Sequence, residues 1–191
     1  MTGFEVSFET IGSWRKALAA LTAAVAMSLA HLPLALAVEA APATLPGGAS
    51  SLSETFSDWQ VGCVVQGPAK RCAITQEQVN QQSRQRVFAI EITTAGDKLE
   101  GVLLMPFGLA LDRGATLQID DQPVTTALKF RTCLPGGCLV PLSFDAKSVA
   151  AIRVGTVLKI RAMADGGTEQ LYSVSLKGFA QALDRIIALA K

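Results

Sequence analysis

Hydrophobic residues recur at every second position in four short segments, and this alternation constrains the fold more than any other feature of the chain. In residues 88–93 the apolar Phe88, Ile90 and Ile92 alternate with smaller or polar residues. Successive side chains of a strand point to opposite faces of its sheet, so this pattern is typical of an antiparallel strand with one buried face. The other three segments are 128–131, 158–163 and 172–177. Clusters of Gly, Pro and Asp separate the segments, which predicts an all-β fold, an antiparallel sandwich or barrel.

One apolar segment does not alternate. Residues 101–111 read GVLLMPFGLAL and are apolar on both faces. The pattern predicts a strand that is buried on both sides, with a bend or a sheet edge at Pro106.

Two short helices are expected beside the strands. Asp145 is a typical N-cap for a helix over residues 146–153 that ends at Gly155. Residues 179–189 carry a stripe of apolar side chains at helical spacing, which predicts a last helix packed on a sheet. The stripe consists of Phe179, Leu183, Ile186 and Ile187.

The N-terminal segment has the pattern of an export signal. Residues 17–38 contain 18 apolar residues in 22 positions, directly after the basic pair at 15–16, and the sequence Ala-Leu-Ala stands at 35–37. This pattern predicts a signal peptide over 1–37, a flexible linker over 38–53 and a folded domain over 54–191. The mature chain then begins at residue 38, or at 41 if a second site is cut, and lies in the periplasm or outside the cell without a stable membrane span. The alternative is an uncleaved membrane anchor.

Charge and histidine content exclude several classes of function. The formal charge of +1 gives no overall electrostatic bias toward nucleic acid or anionic lipid. His31 is the only histidine, and it lies in the predicted signal peptide. A cleaved chain therefore lacks an imidazole base and the histidine ligands of the usual catalytic zinc sites. We expect no catalytic residue, no metal and no cofactor.

Four cysteines in an exported chain predict two disulfide bonds, with three possible connectivities. Cys63 and Cys72 flank a segment with Gly-Pro, and Cys133 and Cys138 flank Leu-Pro-Gly-Gly, so each pair is expected to bridge its own hairpin. Zinc binding fits poorly, because structural zinc sites use more closely spaced pairs. A redox-active Cys133–Cys138 bond is the alternative, although the C-x-x-C spacing of thiol–disulfide enzymes is missing.

Three polar features are candidate functional sites. Lys129, Arg131, Lys159 and Arg161 alternate with apolar residues, and they would form a cationic patch for an acidic protein or an envelope phosphate if their two strands adjoined. A solvated sheet face explains the same pattern. The glutamine-rich residues 75–85 are expected in a hairpin loop or a sheet edge, where binding specificity could lie. Asp-Asp-Gln-Pro at 120–123 is interpreted as a turn rather than a pair of catalytic carboxylates.

Several segments in order resemble the invasion-associated locus B family of exported bacterial proteins. They are FSDWQVGC at 56–63, RCAI at 71–74, MPFGL at 105–109, QID at 118–120, FRTCLPGGC at 130–138 and VSLKGF at 174–179. The resemblance covers about residues 54–187. It implies a β-sandwich of immunoglobulin-like character in the periplasm or at the cell surface, and it offers no active site to transfer. Trp59, which shares a strand face with Cys63, is expected to be architectural.

The sequence therefore predicts an exported, non-enzymatic β-sandwich that binds a protein or an envelope component. A periplasmic thiol–disulfide protein using Cys133 and Cys138 is the first alternative. A hydrolase that works through carboxylates alone is the second, although no pattern selects a pair of acids.

Overall fold

The computed structural model describes residues 44–96 and 98–190. The predicted signal peptide and residues 38–43 of the predicted linker lie outside this part of the chain. Among the described residues, no helix combines the length and the hydropathy needed to cross a bilayer.

The described residues form two antiparallel sheets and two helices, which confirms the predicted β-sandwich and its last helix near the C-terminus. The large sheet has the order β1-β2-β3-β4-β5-β8-β7, and the small sheet has the order β10-β9-β6. The strands are β1 (Ser51–Phe56), β2 (Trp59–Gln66), β3 (Ala69–Val79), β4 (Arg86–Ala95), β5 (Lys98–Met105), β6 (Ala115–Ile119), β7 (Thr132–Leu134), β8 (Gly137–Phe144), β9 (Val157–Met163) and β10 (Glu169–Ser175). The helices are α1 (Ala146–Val154) and α2 (Phe179–Ala190).

The first strand begins before the predicted start of the domain at residue 54. Residues 51–53 already pair with residues 62–64 of β2. Farther upstream, Leu45 is only 3% exposed and belongs to the core cluster. The folded part of the chain therefore includes the last residues that composition assigns to a linker.

The core lies between the two sheets. Val61, Ile74 and Ile92 form one row across three neighbouring strands of the large sheet, and each is at most 1% exposed. Leu158 and Ile160 of β9 are equally buried in the opposite sheet. Burying a side chain of this size contributes about 1.5–3 kcal/mol, so the alternating pattern of the sequence supplies most of the drive to fold.

Trp59 of the large sheet contacts both α2 and β10 in the layer that packs on this sheet. Its ring meets the ring of Phe179 in α2 edge to face, with 5.1 Å between centroids. Its indole Nε1 donates a 2.8 Å hydrogen bond to the carbonyl oxygen of Ser175 in β10. Because the indole is 1% exposed and its N–H has a partner, Trp59 is buried without an unsatisfied donor. This geometry agrees with an architectural role.

Both helices begin and end close to their predicted positions. The carboxylate of Asp145 accepts a 2.8 Å hydrogen bond from the backbone N–H of Ser148, which caps α1, and Gly155 closes that helix. In α2 the buried stripe runs through Phe179, Leu183 and Ile186. The expectation that Ile187 belongs to this stripe was wrong, because its side chain is 41% exposed.

The prediction of a strand buried on both faces over residues 101–111 was also wrong. β5 ends at Met105, directly before Pro106, and only one of its faces carries fully buried side chains such as Leu103. On the other face Leu104 is half-buried, close to Gly137 in the turn between β7 and β8. The apolar pattern therefore reflects partial cover by a hairpin, not a second packed layer.

A bidentate ion pair attaches α2 to the edge strand β1. Arg185 Nε and Nη2 donate to the two carboxylate oxygens of Glu54 at 2.6 and 2.7 Å. These hydrogen bonds, helped by the charge of the guanidinium, hold the pKa of Glu54 below its usual 4.5. Both side chains remain about one-third exposed, so solvent screening keeps the contribution of the pair modest.

We expect Glu54→Gln to change how stability depends on pH. A carboxyl group whose pKa is lowered by folding stabilises the native state above its unfolded pKa, and this contribution is lost as the pH falls through the folded pKa. The free energies of unfolding of wild type and Glu54→Gln should therefore differ above pH 4.5 and converge below it. Urea unfolding across the acid range measures this. A difference that grew with acidification would contradict the assignment.

Candidate partner-binding surface

The structure joins each cysteine to the partner that local spacing predicts. Cys63 and Cys72 face each other across β2 and β3, with 4.1 Å between their Cα atoms. Cys133 and Cys138 face each other across β7 and β8, with 3.9 Å between Cα atoms. Each bond links neighbouring strands of one hairpin, so each fixes local register rather than tying distant parts of the sandwich. No cysteine among the described residues is free.

The two sulfurs of the Cys133–Cys138 bond lie in different environments. Cys133 is exposed at the edge of the large sheet, whereas Cys138 is 2% exposed beside Met105 of β5. Since attack on a disulfide requires access to the attacked sulfur, only the Cys133 side is open to another thiolate.

The prediction of a hairpin loop or a sheet edge holds for part of the glutamine-rich segment. Residues 80–85 form the hairpin connection between β3 and β4, whereas residues 75–79 continue β3. Within β3 the pairing with β2 ends at Thr75, so residues 76–79 pair with β4 alone. Gln76 is 8% exposed, and its side-chain amide donates to the carbonyl oxygen of Ser175 at 2.9 Å and accepts from the N–H of Ser175 at 3.0 Å. The amide of Gln78 donates to the carbonyl oxygen of Ser173. These amides satisfy the free edge of β10 as a neighbouring strand would.

Asp120 has a structural role in the turn after β6. Its carboxylate accepts hydrogen bonds from the backbone N–H groups of Thr156 at 3.1 Å and Val157 at 2.9 Å. The backbone N–H of Asp120 donates to the carbonyl oxygen of Val157. The carboxylate thus fixes the start of β9, as expected for a turn residue rather than a catalytic acid.

Tyr172, the only tyrosine of the sequence, packs against the hydrophobic core and is half-buried. The ring of Tyr172 meets Phe88 edge to face with 5.5 Å between centroids. Burial raises the pKa of the phenol above its usual 10.0. The hydroxyl therefore stays protonated at neutral pH and is a poor nucleophile.

Lys159 and Arg161 lie on the outward face of the small sheet. They alternate along β9 with Leu158, Ile160 and Ala162, all of which are buried. The ammonium of Lys159 is held by the turn at the end of β6. Its Nζ donates to the carbonyl oxygen of Asp120 at 3.0 Å and lies 3.3 Å from a carboxylate oxygen of Asp121. In the described part of the chain, no carboxylate lies within ion-pair distance of Arg161.

The strand expected over residues 128–131 is reduced to a single bridge, and it does not adjoin β9. Leu128 pairs with Ala115 of β6, so β6 lies between this segment and β9. Lys129 is exposed beside β6, whereas the N–H of Arg131 donates to Leu139 of β8 in the large sheet. The condition for a four-cation patch, that the two strands adjoin, is therefore not met. Alternation over four residues was too short a signal to place this segment.

A smaller mixed surface remains around Arg161. In register, Arg161 of β9 lies between Thr116 of β6 and Leu171 of β10. Leu171 is 58% exposed. We define the β9 surface as the outward residues Thr116, Lys159, Arg161, Leu171 and Ser173. This surface places an exposed apolar side chain beside a guanidinium that has no carboxylate partner in the described part of the chain.

Comparison with known proteins gives a consistent result. The family model described as Invasion associated locus B (IalB) protein matches residues 59–187. The Invasion protein B homolog of Brucella abortus (strain 2308) is 51% identical over 151 residues, which cover 78% of this chain and 87% of that protein. Invasion protein B of Bartonella bacilliformis is 36% identical over 154 residues, which cover 78% and 82% of the two chains.

A solved structure shares both the fold and the sequence pattern. The crystal structure of invasion associated protein b from Bartonella henselae superposes with a TM-score of 0.68 at 36% identity, covering 72% of this chain and 96% of that one. Residues 59–187, which the family model matches, contain both disulfide-bonded hairpins and Trp59. The chain therefore belongs to the Invasion associated locus B protein family.

Proposed function

We propose that this protein is an exported, non-enzymatic binding protein that uses the β9 surface to bind an acidic partner protein. The observation that carries the proposal is the pairing of Leu171, 58% exposed, with Arg161, which has no carboxylate partner in the described structure. A partner protein that covers this leucine and pairs a carboxylate with the guanidinium would use both groups at once. The names of the relatives, which refer to invasion, agree with a role outside the cytoplasm.

The charges of this surface favour an acidic partner but differ in their availability. Lys159 is engaged with the Asp120–Asp121 turn, so Arg161 is the cation that a carboxylate can approach with both nitrogen donors. Exposed charges of this kind mainly accelerate association, and salt screens them over about 10 Å at 0.1 M. Binding should therefore weaken as ionic strength rises.

The size of the surface indicates that a partner must also cover neighbouring residues. Seven residues of β9 by three strands span roughly 24 by 14 Å, well below the ~800 Å² per partner of a stable interface. The segment on the far side of β6 extends this area, and it exposes Val124 and Lys129. Of the four cations predicted as binding residues, Arg161 is thus central, Lys129 is peripheral, Lys159 is partly neutralised and Arg131 lies in the other sheet.

The proposal that binding, rather than catalysis, is the activity rests on the placement of the reactive groups. All four cysteines are bonded, Asp120 is occupied with backbone N–H groups, and the phenol of Tyr172 is half-buried with a raised pKa. In the described residues, no group of three Asp, Glu, Cys or His side chains is arranged to hold a metal ion.

We expect Arg161→Gln combined with Leu171→Ser to reduce capture of the envelope partner by about tenfold or more at low salt, because both central contacts are removed. The measurement is crosslinking of the purified protein in envelope extracts, followed by quantification of the captured partner at low and high ionic strength. A matched control exists on the large sheet, where Val64 is 43% exposed and pairs with Arg71. Arg71→Gln combined with Val64→Ser makes the same chemical change there. Equal capture by the two double variants would refute the proposal.

A further inference from the structure

Three segments that are distant in sequence meet at one end of the large sheet. The turn at residues 80–85 joins β3 to β4, and Val79 pairs with Arg86 across it. Residues 106–108 follow β5, whose last residue pairs with Cys138. Leu134 ends β7 directly before the turn into β8, the strand that contains the same Cys138. Strand pairing therefore brings the three connections to the same end of the large sheet.

Each connection exposes one large apolar side chain. Phe107 is 60% exposed, Leu134 is 50% exposed and Val79 is 41% exposed. All three residues lie in or next to connections rather than in a groove, so their side chains belong to the protruding end of the sheet.

The same segments are basic. Residues 77–86, 106–108 and 131–137 contain Arg84, Arg86 and Arg131, with Glu77 as the single acid. Glu77 lies 3.8 Å from Arg86 in a long and half-exposed ion pair, and these three segments together carry a net charge of +2. Arg86 also reaches the β7–β8 turn, because a methyl group on Gly136 would lie 3.4 Å from its Nη2.

The connections are held in place before any ligand arrives. The side-chain oxygen of Asn80 accepts hydrogen bonds from the N–H groups of Gln82 at 2.9 Å and Ser83 at 3.0 Å. The Cys133–Cys138 bond fixes the hairpin that carries Leu134. A rigid arrangement of apolar and basic side chains loses little entropy on binding.

We propose that this end of the large sheet, which we call the arginine end, docks on an anionic lipid surface. The arginine end is defined by Val79, Arg84, Arg86, Phe107, Arg131 and Leu134. Apolar side chains on protruding turns can enter the region between headgroups and acyl chains, while the guanidinium groups bind lipid phosphates. A flat or concave protein partner would bury such separate projections less completely than a deformable bilayer interface. The inference concerns a different face from the β9 surface and adds a second binding activity.

The test is sedimentation of the purified protein with vesicles of phosphatidylcholine alone or with about one-third phosphatidylglycerol. We expect binding only to the anionic vesicles, and weaker binding at high salt. Because each basic residue near an anionic surface is worth about fivefold in affinity, Arg84→Gln combined with Arg131→Gln should weaken binding roughly thirtyfold. Phe107→Ser combined with Leu134→Ser should also weaken it by about tenfold or more, since both apolar contacts are lost.

Two controls keep the outcome clear. Arg161→Gln combined with Leu171→Ser removes one arginine and one exposed apolar side chain from the β9 surface. This variant should bind anionic vesicles like wild type. Phe107→Trp places an indole at the arginine end, and subtracting the spectrum of the parent protein, which has Trp14 and Trp59, isolates its emission. That emission should shift to the blue when anionic vesicles are added. Three results would each overturn the proposal. They are absence of binding to anionic vesicles, a loss of binding in the β9 variant as large as in Arg84→Gln combined with Arg131→Gln, and an unshifted indole in bound protein. None of these results bears on capture of a protein by the β9 surface.

Discussion

Replacing Gln76 with leucine is expected to lower the free energy of unfolding by about 1–3 kcal/mol, because a half-buried backbone donor loses its partner. The amide of Gln76 both donates to and accepts from the backbone of Ser175. Leucine fills a similar volume but leaves the N–H of Ser175 without an acceptor. The carbonyl oxygen keeps its hydrogen bond from Trp59, which limits the loss. Urea denaturation followed by circular dichroism measures the change.

Gln60→Leu is the matched control for this prediction. Gln60 lies on the exposed side of the neighbouring strand β2, and its amide binds only the hydroxyl of Ser53. Its replacement should change stability by less than about 0.5 kcal/mol, as surface substitutions usually do. If the two variants were equally stable, the glutamine amide would not be what holds the edge of β10.

Gly178→Ala is expected to destabilise the protein by about 3 kcal/mol, from backbone strain and overpacking together. Gly178 has φ of +88° directly before α2, a conformation that side chains rarely adopt. A methyl group there would also overlap the carbonyl oxygen of Phe56 at the end of β1. Both conflicts lie at the junction of α2 with the large sheet, so the helix cannot seat without moving the strand.

Gly166→Ala tests whether this effect belongs to the site or to glycine replacement in general. Gly166 lies in the turn between β9 and β10, where an added methyl group meets no atom within 4 Å and φ is not positive. We expect a change within about 0.5 kcal/mol. Similar unfolding curves for Gly178→Ala and Gly166→Ala would show that the junction tolerates displacement.

Local pattern predicted those parts of the fold in which side-chain chemistry and burial agree. Phe88, Ile90 and Ile92 are apolar and buried, and Asp145 caps a helix that its own sequence encodes. The cysteine pairs also follow from spacing, because each bond closes a hairpin between adjacent strands. These features depend on contacts within a few residues or on a single hydrophobic face.

The features that sequence did not predict depend on contacts between distant residues. Gln76 is polar and was predicted in a hairpin loop or at a sheet edge, yet it is buried, because its amide bonds the backbone of Ser175, 99 residues away in sequence. The ammonium of Lys159 binds the Asp120–Asp121 turn, although Asp121 is 38 residues away in sequence, so no local pattern indicates this contact. Hydrophobic periodicity carries no information on which strand edges meet, so it cannot reveal such partners.

The candidate site was predicted only in part for the same reason. Lys159 and Arg161 were correctly placed on an outward face, but β6 separates that face from Lys129. The exposed Leu171 beside Arg161 was missed, because its register with β9 appears only in the folded sheet. The one signal available in the sequence was Leu171 itself, an apolar residue at an outward position of the strand that continues through residues 172–175.

The nearness in sequence of each cysteine to its partner also affects how the protein can be made. The bridges span 9 and 5 residues and do not overlap along the chain. A chain that enters an oxidising compartment N-terminus first exposes both thiols of the first pair well before either thiol of the second. Closing loops this short takes well under about 1 μs, so chain diffusion does not limit the pairing. If the chain is exported as its N-terminal segment predicts, we expect sequential oxidation to form the native bonds directly, with an oxidant and without an isomerase.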